Sequence, residues 1–172
     1  MTERETIVAA VVAAAGGKLI SRVRLQKSVY LLDRLGLESG FNYEYHHYGP
    51  YSRDLDLATA DAVSLHVVSE TFHHREGDGA RYSVFELKQD PSGDEGFGNF
   101  GRTRATELAG KFASTNITVL ELAATVDWLW REEGYDNWRN EVSRRKPVKV
   151  ERGRLDRAVA LLNDLGLSPP AS

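Results

Sequence analysis

The 172-residue chain contains no cysteine, which excludes disulfides, thiol nucleophiles and thiolate metal sites. It has little net charge: −3 formally, with a pI near 6.0. Any nucleic-acid role would therefore need a local basic patch rather than a basic chain. The apolar run Ile7 to Ala15 is too short to cross a bilayer. Glu3 and Glu5 precede it with only Arg4 opposing them, so it lacks the positive flank of a secretion signal. A cytoplasmic protein without membrane contact is the expectation. There is no H-E-x-x-H, no G-x-S-x-G, no Walker A and no G-x-G-x-x-G opening a helix after a strand. No enzyme activity, catalytic residue, cofactor or metal site is expected. The glycines of Gly96-Phe97-Gly98-Asn99-Phe100-Gly101 follow an acidic run, which repels phosphate, and read as flexible linker.

What is present suits one globular domain: 41% hydrophobic and 27% charged residues, at a length that supports a single core. Ile7, Val8, Val11, Val12 and Ala15 form the apolar side of a first helix, with Thr2 and Glu5 spaced as a capping box and Gly16 or Gly17 ending it. A second helix runs from the N-cap Ser21 to Gly36, burying Leu25, Val29, Leu32 and Leu35, with Arg22, Arg24 and Lys27 facing away or snorkelling past that stripe. Phe41 to Tyr48 alternates as a strand, which Gly49-Pro50 breaks. Ser52 caps a third helix over Arg53 to about His66. Val67–Phe72 and Arg81–Leu87 form a hairpin around Glu76-Gly77-Asp78-Gly79.

Residues 89–101 read as a flexible acidic loop, and 102–167 as helices. One of these starts near Thr118, with Thr118 and Glu121 as a capping box and Ile117 and Leu122 as a staple. Tyr135, Trp138 and Val142 suggest a short helix ended by Pro147, and Leu155 to Leu165 a last one closed by Gly166. The predicted fold is α+β, mainly helical. Residues 1–88 form a winged-helix-like core with a β-hairpin, followed by additional C-terminal helices. The strand between the second and third helices departs from the usual winged-helix order.

Each candidate site has a structural alternative. His46-His47 and His73-His74 are adjacent pairs whose side chains diverge on a strand, so a metal site is disfavoured. Arg144, Arg145, Lys146, Lys149, Arg152, Arg154 and Arg157 form the strongest charge feature and could gain from counterion release on nucleic acid. They are interleaved with Glu141, Glu151 and Asp156. A solvated surface, paired with acids such as Asp90, Asp94 and Glu95, is the favoured reading. The third helix sets Arg53 against Asp54, Asp56 and Asp61, which suits a polyanion poorly in a groove-reading position. Tyr48 and Tyr51 flank the rigid turn, either as protein contacts or as bonded core tyrosines.

Arg24-Leu25-Gln26-Lys27-Ser28-Val29-Tyr30-Leu31-Leu32, followed by Tyr48-Gly49-Pro50-Tyr51-Ser52 and Leu55, resembles the bacterial Panacea (SocA-like antitoxin) domain and the related YwgA-like proteins. Those read "LQKLLYF" with a "YGP" turn downstream. The resemblance covers about residues 18–66, with Ser28 and Val29 standing where the family has an apolar pair. It implies a non-enzymatic domain that binds a partner protein, such as a toxin encoded nearby, or delivers one as an adaptor. Tyr48, Tyr51, Arg53, Asp54, Asp56 and Asp61 are the candidate partner contacts. The alternative is a DNA-binding regulator using Arg144, Arg145, Lys146, Lys149 and Arg152. A homodimer is open under either reading.

Overall fold

The computed structural model describes residues 3–91 and 95–172. Thr2 of the expected capping box and Asp94 of the acidic loop lie outside the described residues. In chain order the elements are α1 (Arg4–Ala14), β1 (Lys18–Ile20), α2 (Arg22–Arg34), β2 (Glu44–His46), β3 (Gly49–Tyr51), α3 (Arg53–Ser64), β4 (Val68–His74) and β5 (Arg81–Leu87). A 3-10 turn at Gly98–Phe100 leads to α4 (Arg102–Ser114), α5 (Ile117–Arg131), α6 (Trp138–Arg145) and α7 (Arg154–Asp164). The architecture is mixed α+β and mainly helical. None of the described helices is long and apolar enough to cross a membrane.

From Ile7 onward helix α1 is apolar around its whole circumference, and its surroundings match. Ile7 to Val12 and Ala14 are all buried, against α3, α4 and β5. It is a core rod rather than the one-sided amphipathic helix its valines suggest, because its many alanines add no polar face. Helix α2 is enclosed just as fully, with Leu25 to Leu32 buried without interruption. That corrects the outward placement of Lys27, which is 1% exposed. Ser21 caps α2 by accepting from the Arg24 amide, as its position predicts.

Strands β1, β5 and β4 form an antiparallel sheet in that order. The register aligns Leu19 with Phe85 and Phe85 with Glu70, and Leu19 and Phe85 turn into the core. Phe41–Tyr48 is not one strand. β2 reverses through His47 and Tyr48 and pairs with β3, placing Tyr45 opposite Pro50 and His46 opposite Gly49. Gly49-Pro50 therefore continues a small ribbon instead of ending a strand. Proline is tolerated because each strand of a two-stranded ribbon has a free edge, where a missing N–H breaks no ladder bond.

The acidic loop also differs from its linker reading at its glycine end. Phe97 is buried, and a Cβ on Gly96 would lie 2.5 Å from the Ala10 Cβ and 2.9 Å from the Thr6 carbonyl oxygen. Glycine there allows the chain to lie directly on α1. Helix α5 starts two residues earlier than its Thr118 cap implies. Asn116 is the N-cap, its side-chain oxygen accepting from the Thr118 and Val119 amides, and Glu121 is left for another use. Helix α7 lays Leu155, Ala158, Leu161 and Leu162 into the core, packed on α5.

Candidate functional site

The Leu25-Gln26-Lys27 helix and the Gly49–Ser52 segment are joined by their polar atoms. The Gln26 side-chain amide donates to the Ser52 carbonyl at 2.9 Å, and its oxygen accepts from the Ser52 amide at 2.8 Å. Gln26 thus pairs with the backbone as a neighbouring strand would, satisfying both buried groups of Ser52. The Lys27 ammonium donates to the Pro50 carbonyl. Ser52, itself fully buried, caps α3 by accepting from the Leu55 amide at 3.2 Å. On the other side, Gly49 (φ +90°) lies so close to α5 that a Cβ there would come within 2.4 Å of the Thr125 hydroxyl. The segment is therefore clamped between α2 and α5, and it fixes where α3 begins.

Below the clamp is a group of buried charges. Glu121, 2% exposed, accepts from Lys149 at 2.8 and 2.7 Å and from Lys146 at 3.4 Å. Lys146 also donates to the His47 carbonyl at 3.0 Å. Burial pushes the Lys27 pKa down to about 7, opposed by Glu121 and reinforced by Lys146 and Lys149. Burial lowers Lys146 as well, again against the pull of Glu121.

The candidate partner contacts separate into two groups. Asp54 accepts from the Asn42 amide at 2.9 Å and from Arg4 at 3.4 Å, and the first of these holds its carboxyl below the usual range. Asp56 accepts from the Tyr51 hydroxyl and from Gln26, and that bond pushes the Tyr51 phenol up to about 12. Asp54, Asp56 and Tyr51 therefore serve the chain internally. Arg53, Asp61 and Tyr48 are exposed, with Tyr48 stacked under the Lys149 ammonium at 4.8 Å. The outer face of α3 also carries Leu57, 53% exposed, and Leu65 at its C-cap is 55% exposed. Sequence reasoning overlooked both. The available signal was their phase: Leu57 lies off the buried row of Leu55, Ala58, Thr59 and Ala62, and Leu65 follows it by about two turns.

Four of the seven cations of the basic segment are paired with carboxylates, none of them Asp90 or Glu95 of the loop. Arg145 pairs with Glu133 at 2.9 Å and with Glu141 at 2.7 Å. Arg144 also binds Glu141, whose pKa these two arginines lower to about 2. Arg154 donates to the Lys149 and Val148 carbonyls. Lys146 is buried, while Arg152 is exposed. Asp90 pairs with Arg102 instead. No group of three or more His, Asp or Glu side chains among the described residues is placed to hold a metal. His46 binds Glu44 and stacks on Tyr51, and His73 stacks on Tyr82.

No family profile matches the chain. Over 61 residues it is 32% identical to the uncharacterised protein YwgA of Bacillus subtilis. That stretch is 36% of this chain and 37% of YwgA, so the similarity is to a YwgA-like segment.

Proposed function

We propose that this chain is a non-enzymatic protein-interaction domain, antitoxin-like or adaptor-like, that holds a partner protein on the outer face of α3. One observation carries the reading: Leu57 and Leu65 stand exposed on a helix whose start is fixed by the Gln26–Ser52 and Lys27–Pro50 bonds. Pre-organised apolar side chains lose little entropy on docking and make effective anchors. Arg53 and Asp61 beside them supply rim charges of both signs. The resemblance to SocA-like antitoxins points to a toxin encoded nearby as the partner. The test is affinity purification from the native cell with wild type and with the Leu57→Glu/Leu65→Glu double variant. The wild type retains a stoichiometric protein and the variant loses it.

The order of elements favours a second, weaker reading. The run α1, β1, α2, α3, β4, β5, with β1 joined to β5, supports a winged-helix-like core with the β2–β3 ribbon inserted, and such cores commonly bind DNA. The chemistry of α3 weighs against it, because its outer face offers one arginine and no lysine, asparagine or glutamine to base edges.

A further inference from the structure

Beside the clamp, an open cavity of about 490 Å3 is lined by Tyr45, His46, His47, Arg145 and Lys146. No carboxylate lines it, and four of its five side chains are cationic or can become so. Its size falls within the range of small-molecule sites. The charges behind it do not balance. Lys27, Lys146 and Lys149 act on a single carboxylate, Glu121, while Arg144 and Arg145 use Glu133 and Glu141. Arg144, Arg145, Lys146 and Lys149 thus meet three carboxylates, with Lys27, whose pKa burial lowers to about 7, behind them. Lys146 is the residue that links this excess to the cavity. Its ammonium is more than nine-tenths buried, has three N–H donors, and meets two acceptors, the His47 carbonyl and Glu121. A buried ammonium with a donor to spare beside a carboxylate-free cavity is stabilised by an incoming oxyanion, which brings both charge and acceptors.

We propose that this cavity is a binding site for a phosphate group, taken either as the free ion or on a small phosphorylated molecule. The bound phosphate accepts from Lys146, with His46 and His47 at the rim and Arg145 supplying field from the wall. Phosphate is favoured over a monocarboxylate because cations outnumber carboxylates behind the cavity and its several terminal oxygens can accept from more than one of the lining groups. The site is separate from the outer face of α3 and does not depend on the partner reading.

The experiment is an NMR titration following the imidazole signals of His46 and His47 at constant pH and ionic strength. Inorganic phosphate, ribose 5-phosphate and sodium chloride are the three additives. Saturable shifts with either phosphate compound and none with chloride support the site; the tighter of the two identifies free ion or phosphorylated molecule as the ligand. Lys146→Gln weakens that binding roughly tenfold, the effect of losing a charge-assisted hydrogen bond. His47→Asn weakens it a few-fold while keeping the backbone carbonyl that Lys146 uses, so the proposal stays testable if Lys146→Gln fails to fold. Lys88→Gln, remote and paired with Glu86, leaves the affinity unchanged. Equal shifts with chloride, or binding that neither site variant weakens, overturn the proposal.

Discussion

Burial removes the Lys27 ammonium from water and gives it one carbonyl partner, and its pKa falls from 10.5 to about 7. The unfolded chain holds that proton more tightly. Between pH 7 and 10.5 the unfolded state therefore binds more protons, and stability rises as pH rises through this window. The slope from this one group approaches about 1.4 kcal/mol per pH unit at most. Lys27→Met removes it while keeping most of the side-chain volume. Urea unfolding at pH 7 and pH 9 should show the wild type gaining about 2 kcal/mol relative to the variant, within that limit. Equal responses to pH would mean that Lys27 is not held desolvated. At the same scale, Gln26 pairs both backbone groups of Ser52, which accounts for a glutamine among the apolar residues of a buried helix.

Among the elements, the β2–β3 ribbon has the least freedom. Gly49 combines φ +90° with a 2.4 Å approach of its virtual Cβ to the Thr125 hydroxyl. Gly49→Ala therefore suffers both backbone strain and a clash, and should cost about 2–4 kcal/mol by thermal or urea unfolding. Adding Thr125→Ala relieves the clash and leaves the strain, so the double variant recovers part of the loss. Much of this element's surroundings could be read from the sequence. Ser21 and Ser52 cap their helices as their positions predict, and the 68–74 and 81–87 hairpin arms fall close to their expected spans. What could not be read was decided by tertiary partners. Lys27 looks like a surface residue until Pro50 is brought to it, and Glu121 looks like half of a capping box until Lys146 and Lys149 arrive from 25 and 28 residues away. Gly49-Pro50 looks like a break because its pairing with β2 depends on a two-residue reversal at His47-Tyr48, which carries no glycine signal.

For the whole molecule, the charges decide which partners are accessible. The net charge is −3, and Glu121, Glu133 and Glu141 hold Arg144, Arg145, Lys146 and Lys149, which leaves Arg152, Arg154 and Arg157 as the part of the C-terminal basic segment without a carboxylate partner among the described residues. Duplex DNA should give no retention above a background that vanishes between about 50 and 200 mM salt, the behaviour of weak phosphate contacts. Electrophoretic mobility shifts across that range check this, and binding that survives the higher salt and is lost on charge reversal of Arg144 and Arg145 would favour the DNA reading. The residues committed to α3 were only partly legible. Arg53 and Asp61 are outward as expected, whereas Asp54 and Asp56 are engaged with Asn42, Arg4, Tyr51 and Gln26, because short acidic side chains in a first helical turn find nearby backbone and phenol donors. The apolar anchors Leu57 and Leu65 carry the central claim. Both are exposed, so Leu57→Glu/Leu65→Glu should change folding stability by no more than about 0.5 kcal/mol. The most direct measurement is size-exclusion chromatography of the wild type and this double variant, each co-expressed with its native neighbours. A stoichiometric complex with the wild type, lost in the equally stable variant, is the predicted result; a complex that forms equally with both, or with neither, contradicts the account.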